Sequence, residues 1–253
     1  MALHLVADRD AQSWTGVQAL VAADGAAVHD HLRRLCSADR RGSADRRASE
    51  RGDRRSAMPE SAWAGEAMAR RVDLTDAMHA LCAVHGAHRG LADQAREHPA
   101  AGAAADWLDR VARALAQERG HLARAVSTSG CLPSTPGQAA TDAALGVQRQ
   151  AFHLLARSDR VGVATGAAAA LALDWPAIRA VIDRAADAYG LRLPAPTLPD
   201  AGETVAMLDR LDDGANVRRA MLFGARALLD QHRALWNLLE ARAHARQGMT
   251  PVG

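Results

Sequence analysis

The stretch that decides the fold is residues 103–127, AAADWLDRVARALAQERGHLARAVS. Stepping about 100° per residue puts Leu108, Val111, Leu115, Leu122 and Val126 on one stripe, as an amphipathic helix requires. Glu118 falls inside that stripe, and His121 lies at its edge. Alanine fills much of the remainder and has the highest helix propensity of any residue. Gly130 supplies a stop.

Working outward, the same period recurs along most of the chain. Upstream, a lead-in segment covers Glu60 to Arg71. A long helix follows from Asp73 to His98, ended by Pro99, which disfavours helix at the residue before it. Its stripe contains Leu74, Ala77, Met78, Leu81, Val84, Leu91 and Ala92, with His85 and His88 among them. Downstream, the loop CLPSTPGQ leads to a predicted start at Thr135, with Pro136 at the first position and Gln138 closing a capping box. That helix runs to Arg157, and its stripe holds Ala144, Leu145, Ala151, Phe152 and Leu155 with Gln148 near the centre. Ser158 and Asp159 are read as caps for a small-residue helix, Val161 to Leu173, and Asp174 as the cap of another ending at Tyr189. Asp200 with Glu203 reads as a capping box for a short helix. A last long helix spans Asn216 to Gln247, with His232 at the centre of a stripe of Val217, Met221, Leu228, Leu235 and Leu239.

The expected fold is all-α: an antiparallel helical bundle over residues 58–248. An N-terminal helical segment, residues 1–36, precedes it. Between them residues 37–57 repeat Ser-Ala-Asp-Arg-Arg at Ser37 and Ser43 and show no apolar face, which reads as a disordered, Arg-rich flexible linker. Composition agrees. Of 253 residues, 49% are hydrophobic but only 3% aromatic, so small aliphatic side chains must fill the core.

The formal net charge is only +2, and the chain has no lysine. Acids interleave with the linker arginines, which argues against a nucleic-acid partner, since phosphate binding needs uncompensated positive charge. Cys36, Cys82 and Cys131 are odd in number and form no CxxC pair, as expected of reduced cytoplasmic thiols. The opening MALHLVADRD has no apolar core of a secretion signal. The run Val161 to Leu173 is too short to span a bilayer. We therefore expect a cytoplasmic protein with no membrane association; a homo-oligomer and an unidentified protein partner are both compatible with it.

No Gly-rich phosphate loop, nucleophile elbow or zinc-finger spacing occurs. Two short motifs remain, Asp76-Ala-Met-His79 and Glu118-Arg-Gly-His121. The first falls outside its helix stripe and reads as a solvated face. Folding neighbouring helices about their connecting turns brings His85, Glu118 and Gln148 to one level within a helical turn. His88 and His232 are further polar residues on apolar stripes. An ionised Glu118 in a core needs a partner, and a histidine is the expected one. Three readings follow. The set is a buried hydrogen-bond network that fixes packing. Or His85, Glu118 and His232 ligate a divalent metal such as iron or zinc. Or Gln148 and His88 help hold a small polar ligand.

The segments Leu132-Pro-Ser-Thr-Pro-Gly-Gln138, Ser158-Asp-Arg-Val-Gly-Val-Ala-Thr-Gly166 through Asp174-Trp175, and Gln231-His-Arg-Ala-Leu-Trp236 resemble an uncharacterised family of alphaproteobacterial helical proteins, over residues 73 to 246. The resemblance implies no activity and no functional residue. In outline it is similar to ferritin-like bundles. It departs from their di-iron pattern in placing Gln148 where a Glu is expected and in having no Glu-x-x-His on the last helix.

Overall fold

The structure is a computed structural model that describes residues 15–37, 60–97, 99–211 and 214–248. Apart from Ser37, the Arg-rich segment 37–57 lies outside the described residues. Nine α-helices occur among the described residues, with no strand: α1 (Thr15–Asp24), α2 (Asp30–Cys36), α3 (Glu60–His85), α4 (Leu91–Glu97), α5 (Ala105–Ser129), α6 (Gln138–Ala156), α7 (Val163–Ala188), α8 (Ala201–Arg210) and α9 (Ala215–Gln247). The fold is an all-α helical bundle.

The organising element is α7, which packs against every other α-helix. Its sequence explains why. Residues 163–172 are almost all small, so neighbours approach closely, and eighteen of its 26 residues are buried. Two separate helices were expected here, meeting at Asp174. Instead one helix runs through, with Pro176 inside it. Proline removes one backbone donor and crowds the carbonyl four residues earlier, but burial on all sides keeps the helix continuous. Asp174 is therefore an interior residue, 1% exposed, and caps nothing. By length and composition α7 could cross a membrane, but 78% of its apolar window is buried within the protein.

The tightest pairing is α7 with α9. A Cβ placed on Gly166 would sit 2.0 Å from the Met221 carbonyl oxygen, and one on Gly224 would sit 2.0 Å from that of Val163. The two backbones touch, and only glycine fits at the crossing.

Three other expectations are corrected. The helix expected from Asp73 to His98 breaks after His85. Residues 86–90 are non-helical, with Arg89 in the left-handed region at φ 64°. Thr135 does not cap α6; Gly137 does, at φ 74°, while the Thr135 hydroxyl and the Gln138 amide oxygen accept hydrogen bonds from Arg246 and Arg242. Finally, α5 and α6, joined by the loop 130–137, make little direct contact, and α3, α4 and α7 each pack against both. The capping box at Asp200 and Glu203 is present, each side chain accepting from the other's backbone N–H.

The N-terminal segment packs onto α7 and α9. Val17, Leu32 and Leu35 are buried, and Gly25 separates α1 from a 3-10 turn, Ala26–Val28. His31 is buried beneath it, and burial first, then the nearby Arg34, lowers its pKa from 6.5 to about 4. Glu240 opposes that shift, while His29 and Arg246 add to it. Because the folded pKa lies below the unfolded one, the unfolded state binds more protons between these values. The contribution of His31 to stability is complete above pH 6.5 and falls until about pH 4. Amide protection factors, corrected for the intrinsic exchange rate, are expected to fall in residues 17–36 as the pH drops through that window, and His31→Gln is expected to flatten the response.

Candidate functional site

Two polar clusters lie inside the core, flanking Trp175, and a third closes one end of the bundle. The first contains Glu118 of α5, 2% exposed. Its Oε1 accepts from Arg179 Nη1 at 2.6 Å, and its Oε2 accepts from Trp175 Nε1 at 3.0 Å. Arg179 also donates through Nε to Asp183 at 2.9 Å and through Nη2 to the Pro194 carbonyl. The expected partner of Glu118 was a histidine; the actual one is a buried arginine one turn along α7 from Trp175. His121 approaches only to 3.5 Å and makes no hydrogen bond through Nδ1. Both oxygens of Glu118 are thus engaged, and they tie α5 to α7.

The second cluster is different. His232 of α9 is 1% exposed, and its Nδ1 lies 2.6 Å from Asp174 Oδ2. Asp174 Oδ1 accepts the Ala26 backbone N–H at 2.7 Å. A carboxylate can only accept, so His232 carries its proton on Nδ1, and in the neutral ring Nε2 presents a lone pair. That Nε2 is buried and has no hydrogen-bond partner in the protein. Beside it stands His85, at the end of α3, with ring centroids 5.2 Å apart and planes at 76°. Its Nε2 is likewise buried without a partner. Phe152 stacks on His85 at 5.2 Å, and Trp175 meets it edge-on at 5.4 Å. Burial, and secondarily the proximity of His232, hold the His85 pKa well below 6.5, so this imidazole is neutral at physiological pH.

The third cluster overturns the expectation of a solvated Asp76. That side chain is 2% exposed. It accepts a bidentate pair from Arg242, with Nε at 2.8 Å and Nη2 at 2.9 Å, and a further bond from Arg246 at 2.6 Å. Arg242 also donates to Thr141, and Arg246 to Thr135 and Asp73. The face of α3 opposite its main stripe is covered by the end of α9 and the loop before α6. His79, half-buried, hydrogen-bonds through Nε2 to the Gly130 carbonyl oxygen at 3.1 Å. The cluster joins α3, α6 and α9, and both oxygens of Asp76 are engaged in it.

A cleft opens onto the second cluster. His85, Phe152 and Trp175 line it together with Val84, Leu91, Leu115 and Leu171, and Arg89, Arg119, Arg149, Gln94 and His153 supply its polar groups. Room for water-sized groups amounts to about 40 Å³ within a concavity of about 500 Å³ that includes open solvent.

Of the residues predicted from sequence, the structure unites His85 and His232. It places Glu118 in the neighbouring cluster, across Trp175. Gln148 is buried, with Oε1 unpartnered, but shares no hydrogen bond with Glu118, because α5 and α6 do not pack together. His88 is exposed on the segment 86–90, because the helix expected to carry it on an apolar stripe has already ended. Among the described residues, no group of three or more His, Cys, Asp or Glu is arranged to hold a metal ion. Sequence reasoning missed Asp174, Trp175 and Arg179. Reading 163–188 as one buried helix would have flagged Asp174 and Arg179 as charges needing partners.

A family described as a family of unknown function, DUF6975, matches residues 48–247. No curated protein and no solved structure matches the chain.

Proposed function

Since the chain belongs to the DUF6975 family, a family of unknown function, its role must be read from its own chemistry, and we propose that it is a small-ligand-binding protein whose ligand is a divalent metal ion held by His85 and His232. The observation that carries this reading is the pair of neighbouring imidazoles whose Nε2 atoms are both buried and unpartnered. Buried polar atoms are seldom left so. Metal ligation uses neutral imidazole, and His85 is held neutral by burial. The Asp174–His232 bond is the arrangement by which a carboxylate orients a ligating histidine. Two imidazoles bound through Nε2 to one tetrahedral ion at about 2.0–2.1 Å place their ring centres on the order of 5 Å apart, and the rings here are 5.2 Å apart. Glu118 is no ligand in this reading, since Arg179 and Trp175 engage both its oxygens. The remaining coordination positions belong to water or to a bound small molecule. This is a two-imidazole site, not the four-carboxylate centre of di-iron bundles.

Cobalt(II) titration of chelator-treated protein is expected to give one equivalent per chain and a visible d–d spectrum. His85→Gln and His232→Gln should each abolish it, with helicity retained. Asp174→Asn is expected to weaken binding by about 10–100-fold.

A second reading treats the polar core as packing alone. The engagement of both oxygens of Glu118 and of Asp76 by buried arginines and Trp175 favours it. It predicts no cobalt spectrum and a lowered melting temperature in the His85 variant as the whole phenotype.

A further inference from the structure

We infer that the cleft over His85 is a receptor for a small organic anion, a carboxylate or phosphate monoester with a short apolar body. The inference rests on the reading of His85 as part of a ligand site and names what enters from outside. Three arginines line the cleft, Arg89, Arg119 and Arg149, and no carboxylate among the described residues lines it. Arg119 is held in place by Asp93 at 2.9 Å, with both side chains largely buried. The Asp93 carboxylate also accepts the Gly90 N–H at 2.9 Å. A Cβ on Gly90 would come within 3.1 Å of Arg119 Nη1, so the glycine leaves room for the guanidinium. Arg89 pairs with Glu97 and sits in the left-handed backbone region, a conformation that costs energy in a non-glycine residue and is common where a ligand is clamped.

Arg149, on an exposed face of α6, forms no ion pair or hydrogen bond with any described residue. It supplies the uncompensated positive charge. Gln94 is oriented by the Arg89 carbonyl oxygen and by His153 Nδ1. Beneath these polar groups the walls are Leu91, Leu115, Phe152 and Trp175, an apolar floor that the short body of an acid meets from the open side. His85 itself lines the same cleft. A basic rim over an apolar floor selects a compact acid and disfavours a neutral or cationic analogue.

The test uses the full chain and isothermal titration with benzoate, phenyl phosphate and the neutral isostere benzamide. At least one anion is expected to bind saturably, about tenfold or more tightly than benzamide, as a charge-assisted contact implies. Arg149→Gln should weaken that anion about tenfold, Arg149→Lys should restore part of the loss, and raising the salt should weaken binding. Equal binding of benzoate and benzamide, no binding of either anion, or affinity unmoved by Arg149→Gln would overturn the inference. Repeating the titration with EDTA and with His232→Gln separates it from the metal reading. Anion binding that survives both upholds the cleft as a receptor even if cobalt never binds. Binding lost with EDTA but indifferent to Arg149 overturns it, because the metal would then be the anion's receptor.

Discussion

Gly166→Ala is expected to be among the most destabilising single-methyl substitutions in this protein, losing about 3 kcal/mol or more of unfolding free energy. The added carbon would lie 2.0 Å from the Met221 carbonyl oxygen and 2.5 Å from its Cα. Those are backbone atoms of α9, so no side chain can swing aside. The helices would have to separate, and α7 touches every other α-helix. Gly224→Ala meets Val163 in the same way and should behave alike. Gly166→Val should not fold, given a total stability on the order of 5–15 kcal/mol. Urea unfolding followed by circular dichroism measures the loss. Gly120→Ala is the control: nothing lies within 4 Å of its Cβ position, and alanine there should be neutral or gain up to about 1 kcal/mol from helix propensity. If Gly166→Ala unfolds at the wild-type midpoint, the close crossing of α7 and α9 is wrong.

Glu118→Leu is expected to cost about 3–5 kcal/mol, because it strands the Arg179 charge in the core. Arg179 is 3% exposed, and its remaining partners are the exposed-side Asp183 and a carbonyl oxygen. Removing both charges, as Glu118→Leu with Arg179→Met, should recover most of the loss, since an apolar pair of similar volume dispenses with the desolvation of two ions. A double-mutant cycle in urea reads the coupling. Additive losses would show that Glu118 and Arg179 act independently. The same variants separate structure from ligand chemistry. The doubly substituted protein should still bind cobalt, because neither residue belongs to the His85–His232 pair.

How far the site could be read in advance differs residue by residue. His85, Glu118, Gln148 and His232 were flagged as polar side chains on apolar stripes, and Glu118, Gln148 and His232 are indeed buried. What failed was the pairing. Helices adjacent in sequence are not adjacent in space here: Gln148 does not sit beside Glu118, because α5 and α6 face different partners. Asp76 was dismissed because its helix was assigned one buried face, whereas α3 is covered on a second side by the end of α9. His88 was placed on a helix that Gly86 and Gly90 bracket and Arg89 interrupts.

The hydrophobic period, the alanine content and the capping box at Asp200 follow from interactions within a few residues, and these local terms were enough to specify an all-α chain and the extents of α5 and α9. Which helices touch was decided only by three-dimensional packing. Gly166 of α7 and Gly224 of α9 let the two helices approach to backbone contact, and that approach brings Asp174 against His232. Contacts between residues 58 apart carry no periodic trace in the chain, because the energy of a buried ion pair or imidazole depends on what surrounds it and not on its place in the sequence.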